Sequence, residues 1–152
     1  MKKLIIILYS VLFSLNAMAH TPGEIDRKLL QSFDSSFPHA TEVAWQDIGE
    51  AYEVYFIQNG VRSKIIYSKD LTVVQLTRYY KEEQLPYAID YLLGRDFPKQ
   101  KVFGVTETST ISLPDNRVSV EYQVVLEDAG RWYQVKMNQD GSFTLIRKLR
   151  KA

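Results

Sequence analysis

Apolar residues along this chain follow two different spacings, and the order of those spacings predicts helices and strands. A helical spacing of three or four residues appears twice, at Ile25, Leu29, Leu30 and Phe33 and again at Ile89, Leu92 and Leu93. Each set would form one apolar face of an amphipathic helix. We therefore predict helices over residues 23–35 and 86–95.

After each predicted helix, apolar and polar residues alternate, which is the period of a half-buried strand. The alternating apolar residues are Val43, Trp45, Tyr52, Val54 and Phe56 in the first half, and Tyr122, Val124 and Leu126 in the second. Turn residues separate the predicted strands at Asn59-Gly60, Lys69-Asp70, Ala129-Gly130 and Asp140-Gly141. Asn-Gly and Asp-Gly tolerate the positive φ that two-residue hairpins require.

The two halves of the chain share these features in the same order. Phe37-Pro38 recurs as Phe97-Pro98, and the alternating strand at 52–56 recurs at 122–126. We therefore predict an α+β fold made as a tandem repeat, over residues 22–80 and 84–150, of a helix plus about four antiparallel strands. The helices are expected to pack on one face of the sheet.

Matched positions of the two halves predict the core beneath those helices. They are Tyr52 and Tyr122, Val54 and Val124, Phe56 and Leu126, Ile65 and Val135, and Tyr67 and Met137. Trp45 shares a face with Val43 and is expected to be buried with them.

The first residues resemble a secretory signal peptide. Lys2 and Lys3 precede an apolar run from Leu4 to Leu15, which ends near the small-residue site Ala17-Met18-Ala19. The run is shorter than the roughly 20 residues that cross a bilayer. We predict cleavage after residue 19, a single domain over residues 20–152, a periplasmic or secreted location, and no stable membrane insertion after cleavage.

Composition narrows the classes of function. The chain has 19 basic and 18 acidic residues, so no strong positive charge favours nucleic acid as a partner. It contains no cysteine, which excludes disulfides, thiolate-bound metals and thiol nucleophiles. The basic C-terminal residues 147–151 are interpreted as a solvated strand.

The residues that fix the predicted turns and core also resemble a known family. Phe37-Pro38-x-Ala40-x-x-Val43-x-Trp45 is followed by Tyr52-x-Val54-x-Phe56, the Gly60 turn and Leu85-Pro86. This pattern is similar to the PepSY-like, beta-lactamase-inhibitor-like proteins secreted by Bacteroidetes. Asp70-Leu71 departs from it, since many members have Asp-Gly there. The resemblance implies a cell-envelope location and no established catalytic site.

No pattern of a known catalytic site appears in the sequence. The imidazole bases are His20 and His39, and neither belongs to a nucleophile elbow, a zinc-protease motif or a phosphate-binding loop. We predict that the protein is not an enzyme and uses no cofactor. An alternative is a periplasmic small-ligand or copper carrier, because a mature chain beginning at His20 would offer an amino group and an imidazole to Cu²⁺.

The strand face opposite the predicted core mixes apolar, aromatic and charged residues, as interaction surfaces do. By alternation, the predicted partner-binding face comprises Tyr55, Ile57, Lys64, Ile66, Arg78, Trp132 and Lys136. The same alternation places Val74, Leu76, Ile146 and Lys148 there. The favoured hypothesis is an exported, non-enzymatic binding module that offers this open sheet face to a protein or peptide of the cell envelope.

Overall fold

The computed structural model describes residues 25–112 and 114–151, and this part of the chain forms two α-helices, one 3₁₀ helix and eight β-strands. The helices are α1 (Arg27–Ser36), the 3₁₀ helix (Glu82–Gln84) and α2 (Tyr87–Asp96). The strands are β1 (Thr41–Asp47), β2 (Ala51–Gln58), β3 (Val61–Ser68), β4 (Val73–Tyr80), β5 (Lys101–Ser112), β6 (Arg117–Glu127), β7 (Arg131–Met137) and β8 (Phe143–Arg150). The predicted signal peptide and His20 lie outside the described residues.

All eight strands belong to one antiparallel sheet, whose spatial order follows the chain from β1 to β8. At its centre, residues 75–80 of β4 pair with residues 105–110 of β5. The predicted tandem repeat of helix-plus-four-strand units is therefore wrong: the chain forms one continuous sheet that carries two short helices. The recurring sequence patterns reflect local turns and helix ends. No such local pattern in the sequence predicts the pairing of β4 with β5, although this pairing satisfies the backbone hydrogen-bonding groups along both strands.

The two helices lie on the same side of the sheet, which we call the helix face. Leu29 and Phe33 of α1 pack in one cluster with Val54 and Ile65, and α2 packs in a second cluster with strands β5 to β7. Cross-strand partners share a face of a sheet. A line of such partners runs across the second half of the helix face, namely Tyr80, Val105, Val124 and Val135.

Most of the predicted core positions are buried. Those within the two clusters are Val54, Phe56, Ile65, Tyr67, Val124, Leu126 and Val135. Tyr52, Tyr122 and Met137 are partly buried and pack against the same clusters, as does Trp45, whose ring centroid lies 5.3 Å from that of Phe33. Burying one large aliphatic or aromatic side chain contributes roughly 1.5–3 kcal/mol. The alternation of the sequence therefore identified the core correctly.

Two turns show why the sequence pattern worked and where it departed. Asn59 and Gly60 both have positive φ, 51° and 78°, as a two-residue hairpin between β2 and β3 requires. The turn between β3 and β4 also contains a residue in the left-handed region of backbone conformation, but that residue is Leu71, with a φ of 69°. Leu71 packs against the cluster beneath α1, and this burial offsets the unfavourable backbone conformation.

Candidate interaction face

The sheet side opposite α1 and α2 is the candidate site, and we call it the open face. Six of the seven predicted face residues lie on it: Tyr55, Ile57, Lys64, Ile66, Trp132 and Lys136. Their assignment follows from register, because each alternates with a core residue and pairs across strands with other residues of this face. Tyr55 is 43% exposed, whereas the other five are half-buried.

Arg78 does not lie on the open face. It pairs with Ser63 in β3 and with Glu107 in β5, and its neighbour Leu76 packs against the cluster beneath α1. The cause is an irregularity in the pairing of β3 with β4: Tyr67 pairs with Val73 but Ile66 pairs with Gln75. The extra residue, Val74, shifts the rest of β4 by one position, which moves every later side chain to the other face.

Arg78 instead belongs to a polar cluster on the helix face. Its Nη1 donates to Oε1 of Glu107 at 2.6 Å, and the Tyr80 hydroxyl donates to Oε2 of Glu107 at 3.0 Å. Burial and the adjacent Glu107 carboxylate raise the pKa of Tyr80 to about 12. Glu107 is only 6% exposed. Arg78 therefore stabilises a buried carboxylate of this chain and is not part of the open face.

A second irregularity changes the open face at β8. Val135 pairs with Leu145, but Gln134 pairs with Arg147. The skipped residue, Ile146, has the same effect as Val74 in β4, so Arg147 and Leu149 occupy the open face in place of Ile146 and Lys148. Sequence alternation did not place Arg147 and Leu149 on the open face, because nothing in the sequence of β8 indicates the inserted residue.

Side-chain hydrogen bonds hold the aromatic residue of β2. Lys64 Nζ lies 2.8 Å from one carboxylate oxygen of Glu53, and the Tyr55 hydroxyl donates to the other oxygen at 2.8 Å. Burial would raise the pKa of Glu53, but the bonds from Lys64 and Tyr55 outweigh it and lower this pKa. The exposed ring of Tyr55 is therefore held in one orientation before any partner arrives, which reduces the entropy lost on binding.

A pocket opens at the β7 end of the open face. Its volume is about 230 Å³, and it is lined by Phe103, Val125, Trp132, Tyr133, Gln134, Arg147 and Leu149; we call it the Trp132 pocket. Phe103 meets Trp132 edge to face, with ring centroids 4.8 Å apart. Lys151 Nζ lies 5.0 Å above the Trp132 ring and forms a salt bridge with Glu127.

Sequence alternation does not predict Phe103 on this face, although a signal for it exists. It occupies an irregularity in β5, where Val102 pairs with Leu126 but Gly104 pairs with Val125. A glycine inside a strand often marks a bulge, and Gly104 is that marker. The bulge turns Phe103 toward Trp132 and leaves it 62% exposed.

Between these two aromatic regions the open face is mainly polar, with the 42% exposed ring of Tyr79 as an aromatic exception. Gln134 donates to Gln123 at 3.1 Å, Gln123 donates to Glu121 at 2.8 Å, and Lys136 forms a salt bridge with Glu121. On the β4 side, Gln75 donates to Thr77 at 3.0 Å. The face thus has aromatic ends and a hydrogen-bonded polar centre.

Of the two histidines considered for other chemistry, His39 lies within the described residues. His39 is exposed in the turn between α1 and β1. Within residues 25–112 and 114–151, no group of three or more His, Asp or Glu side chains is arranged to hold a metal ion. The copper alternative depends on His20, which lies outside those ranges. No helix in the same ranges has the length and apolar character needed to cross a bilayer.

Comparison with known proteins supports the fold. No protein-family profile matches the chain, and no curated protein matches it. Among solved structures, a BLIP-like protein from Bacteroides fragilis is 15% identical with a TM-score of 0.56, and covers 82% of this chain and 85% of its own. A provisionally periplasmic protein from Bacteroides eggerthii is 16% identical with a TM-score of 0.56, covering 82% and 88% respectively.

A DUF2874 family protein from Bacteroides uniformis is also similar. It is 19% identical with a TM-score of 0.53, covering 83% of this chain and 89% of its own. At these identities the likeness shows a shared fold. The beta-lactamase-inhibitor-like part of the resemblance is thereby supported at the level of fold, whereas the PepSY-like part stays a prediction.

Proposed function

We propose that this chain is an exported, non-enzymatic binding module that presents the open face of its sheet to a protein or peptide partner in the cell envelope. The observation that carries the proposal is the one-sided packing of both helices. It leaves the other side of an eight-stranded sheet uncovered by α1 and α2, with aromatic residues at two places on it.

The composition of the open face supports binding more than simple hydration. Tyr, Trp and Arg dominate binding hot spots, and the face carries Tyr55, Trp132 and Arg147. Salt bridges such as Lys64–Glu53 lie beside the aromatic rings, so that each aromatic region is bordered by polar groups, as apolar parts of interfaces are. Because Tyr55 and Trp132 are already held by intramolecular contacts, they lose little conformational freedom when a partner binds.

The location in the cell envelope has two separate supports. The residues before His20 resemble a signal peptide, and one structural neighbour is a provisionally periplasmic protein. The first support gives a direct test, since mass spectrometry of envelope material should find a chain that begins at His20. A folded protein that retains Met1 would contradict it.

The proposal is tested by comparing two pairs of aromatic substitutions. The mature chain is used to capture a partner from envelope extract, and the purified partner is then titrated against each variant. Tyr55→Ser/Trp132→Ser alters the open face. Tyr87→Ser/Tyr91→Ser alters two tyrosines of α2 that are 83% and 60% exposed, and serves as the matched control.

We expect the open-face variant to weaken binding by about 30-fold or more for each anchor, the equivalent of the ~2 kcal/mol of a hot spot. The control should bind normally. Trp132→Ser removes an aromatic pair and a cation–π contact, which costs about 1–2 kcal/mol of stability, so titrations belong well below the melting temperature. Loss of binding in the α2 control alone would place the partner on the helix face and end the proposal.

A further inference from the structure

Strand β8 is one edge of the sheet, and its outer side has no neighbouring strand among the described residues. Seven of its eight residues are exposed, including the apolar residues Leu145, Ile146 and Leu149. The unpaired N–H and C=O groups of an edge strand can accept another extended chain as an additional strand. The backbone of β8 is therefore available for strand addition.

The charges of β8 select the kind of chain that could be added. Arg147 pairs with Gln134 on the open face, whereas Lys148 pairs with Tyr133 and Arg150 with Arg131 on the helix face. Positive charge thus lies along both faces of the same edge. An extended segment beside β8 would place its side chains alternately on those two faces, so acidic residues would meet a cation on either one.

The Trp132 pocket adds a requirement for one apolar side chain. Arg147 and Leu149 belong both to β8 and to the pocket lining, so the pocket opens directly beside the edge. Its volume of about 230 Å³ is smaller than the roughly 300–1,000 Å³ of small-molecule sites. It suits a single large apolar side chain of a bound segment better than a separate ligand.

We propose that β8 binds an extended acidic peptide segment as a ninth strand, with one large apolar side chain of that segment in the Trp132 pocket. This inference rests on the proposed binding function and names the segment of the partner that is recognised. Backbone hydrogen bonds supply affinity, while the pocket and the cations of β8 supply specificity.

A second copy of this chain fits the site less well. Antiparallel pairing of β8 with β8 would bring the cations of two edges together, which is unfavourable. The other edge, β1, has an irregularity between Thr41 and Ala44, with Glu42 at a φ of 53°, and such a bulge opposes regular strand addition. The open-face residues of β1 next to that irregularity, Ala44 and Gln46, offer no large apolar side chain for the pocket.

The test uses synthetic seven-residue peptides and the mature chain. The probe has glutamate at its odd positions, threonine at positions two and six, and phenylalanine at its centre. Matched peptides replace all glutamates with lysine, or the phenylalanine with alanine. Two further peptides carry N-methyl groups on alternate residues, one pattern on the odd positions and one on the even positions. Binding is measured by fluorescence anisotropy at low and at physiological salt.

Two protein variants and one control separate the contributions. Arg147→Glu/Lys148→Glu/Arg150→Glu reverses the charge of the edge, and Phe103→Ala removes an exposed wall of the pocket. Reversal of Arg27, Lys28 and Lys99 to glutamate makes the same change of net charge at exposed sites outside β8. Circular dichroism and a thermal melt verify that each variant is folded.

We expect the acidic probe to bind at least tenfold more tightly than the lysine peptide. Edge reversal should invert this preference, while the remote reversal should leave it in place. Phe103→Ala should weaken the phenylalanine peptide about tenfold and leave the alanine peptide unchanged. Only one N-methyl pattern should abolish binding, because alternate residues of a strand donate toward the neighbouring strand.

Equal affinity for the acidic and basic probes, equal loss in the remote variant, or equal binding of both N-methyl peptides would overturn the inference. Self-association that disappears on edge reversal would instead make a second copy the occupant. Failure of this inference can be distinguished from failure of the proposed function. Binding of a captured partner that depends on Tyr55 and Trp132 can persist when the probe fails, and it can be absent when the probe succeeds.

Discussion

Replacing Arg78 with methionine keeps an unbranched apolar stem but removes the guanidinium that donates to Glu107 at 2.6 Å. The substitution leaves a carboxylate that is 6% exposed without its cation. Removing one partner of a fully buried ion pair costs about 3–5 kcal/mol. Here the Arg78 side chain is 36% exposed, and Tyr80 still donates to Glu107. We therefore expect a smaller loss, about 2 kcal/mol.

The measurement is urea denaturation followed by circular dichroism, with Arg78→Met, Glu107→Gln and the double variant compared in one thermodynamic cycle. A loss of ~2 kcal/mol corresponds to a fall in melting temperature of roughly 4–8 °C for a chain of this size. The double variant should lose less than the sum of the single variants, because it has neither member of the ion pair and therefore leaves no buried charge unpaired. Partner binding should be unchanged, since Arg78 lies on the helix face.

A change in stability of less than ~0.5 kcal/mol for Arg78→Met, as at an ordinary surface site, together with an additive cycle, would contradict the placement of Arg78 beside Glu107. In that case Arg78 would not contact Glu107. The register of β4 that strict alternation predicts, with Arg78 on the open face, would then be the correct one.

Three further predictions concern the core and the two carboxylate clusters. In urea denaturation, Leu126→Ala should cost ~2–5 kcal/mol because it empties a buried site, whereas the exposed Leu149→Ala should cost less than ~0.5 kcal/mol; similar losses would mean that the faces are assigned wrongly. The lowered pKa of Glu53 means that its ionised form stabilises the fold above its ordinary pKa of 4.5, and this contribution is lost as the pH falls through the folded-state pKa. Glu53→Gln should therefore flatten the acid side of a profile of stability against pH. An unchanged profile would contradict the Lys64 and Tyr55 contacts. The pKa of Tyr80, raised to about 12, means that stability falls by on the order of 2 kcal/mol as the pH rises from about 10 to 12. Tyr80→Phe should remove this part of the loss of stability at alkaline pH. If the loss is fully retained in that variant, it belongs to other tyrosines.

The helices and the core were predictable because the signals for them are local. Leu29 and Phe33 are one helical turn apart, and the Phe-Pro pairs follow directly: the backbone N–H of Phe37 bonds to Phe33, and that of Phe97 bonds to Leu93. Alternation then places Val54 and Val124 in the core. None of these inferences depends on knowing which strands pair.

The remaining features depend on pairings and irregularities that local patterns do not specify. Val74 and Ile146 each add one residue to a strand and reverse the faces that follow, so Arg78 was wrongly placed on the open face and Arg147 was missed. Both are β-branched residues, with no glycine beside them to indicate a bulge. The pairing of β4 with β5 likewise joins strands on either side of α2, and so the predicted division of the fold into repeats was wrong.

The sequential order of the sheet has a consequence for folding kinetics. Every strand pairs with its neighbour along the chain, and hairpins between such neighbours form in roughly 1–10 μs. The exception is the closure of β4 on β5, which must bring together the ends of the connection over residues 81–100, including α2. Longer connections slow closure only weakly, by about 0.6 kcal/mol for each doubling. Folding should therefore be faster than in a Greek-key sandwich of equal length, with the closure of β4 on β5 as the last slow step.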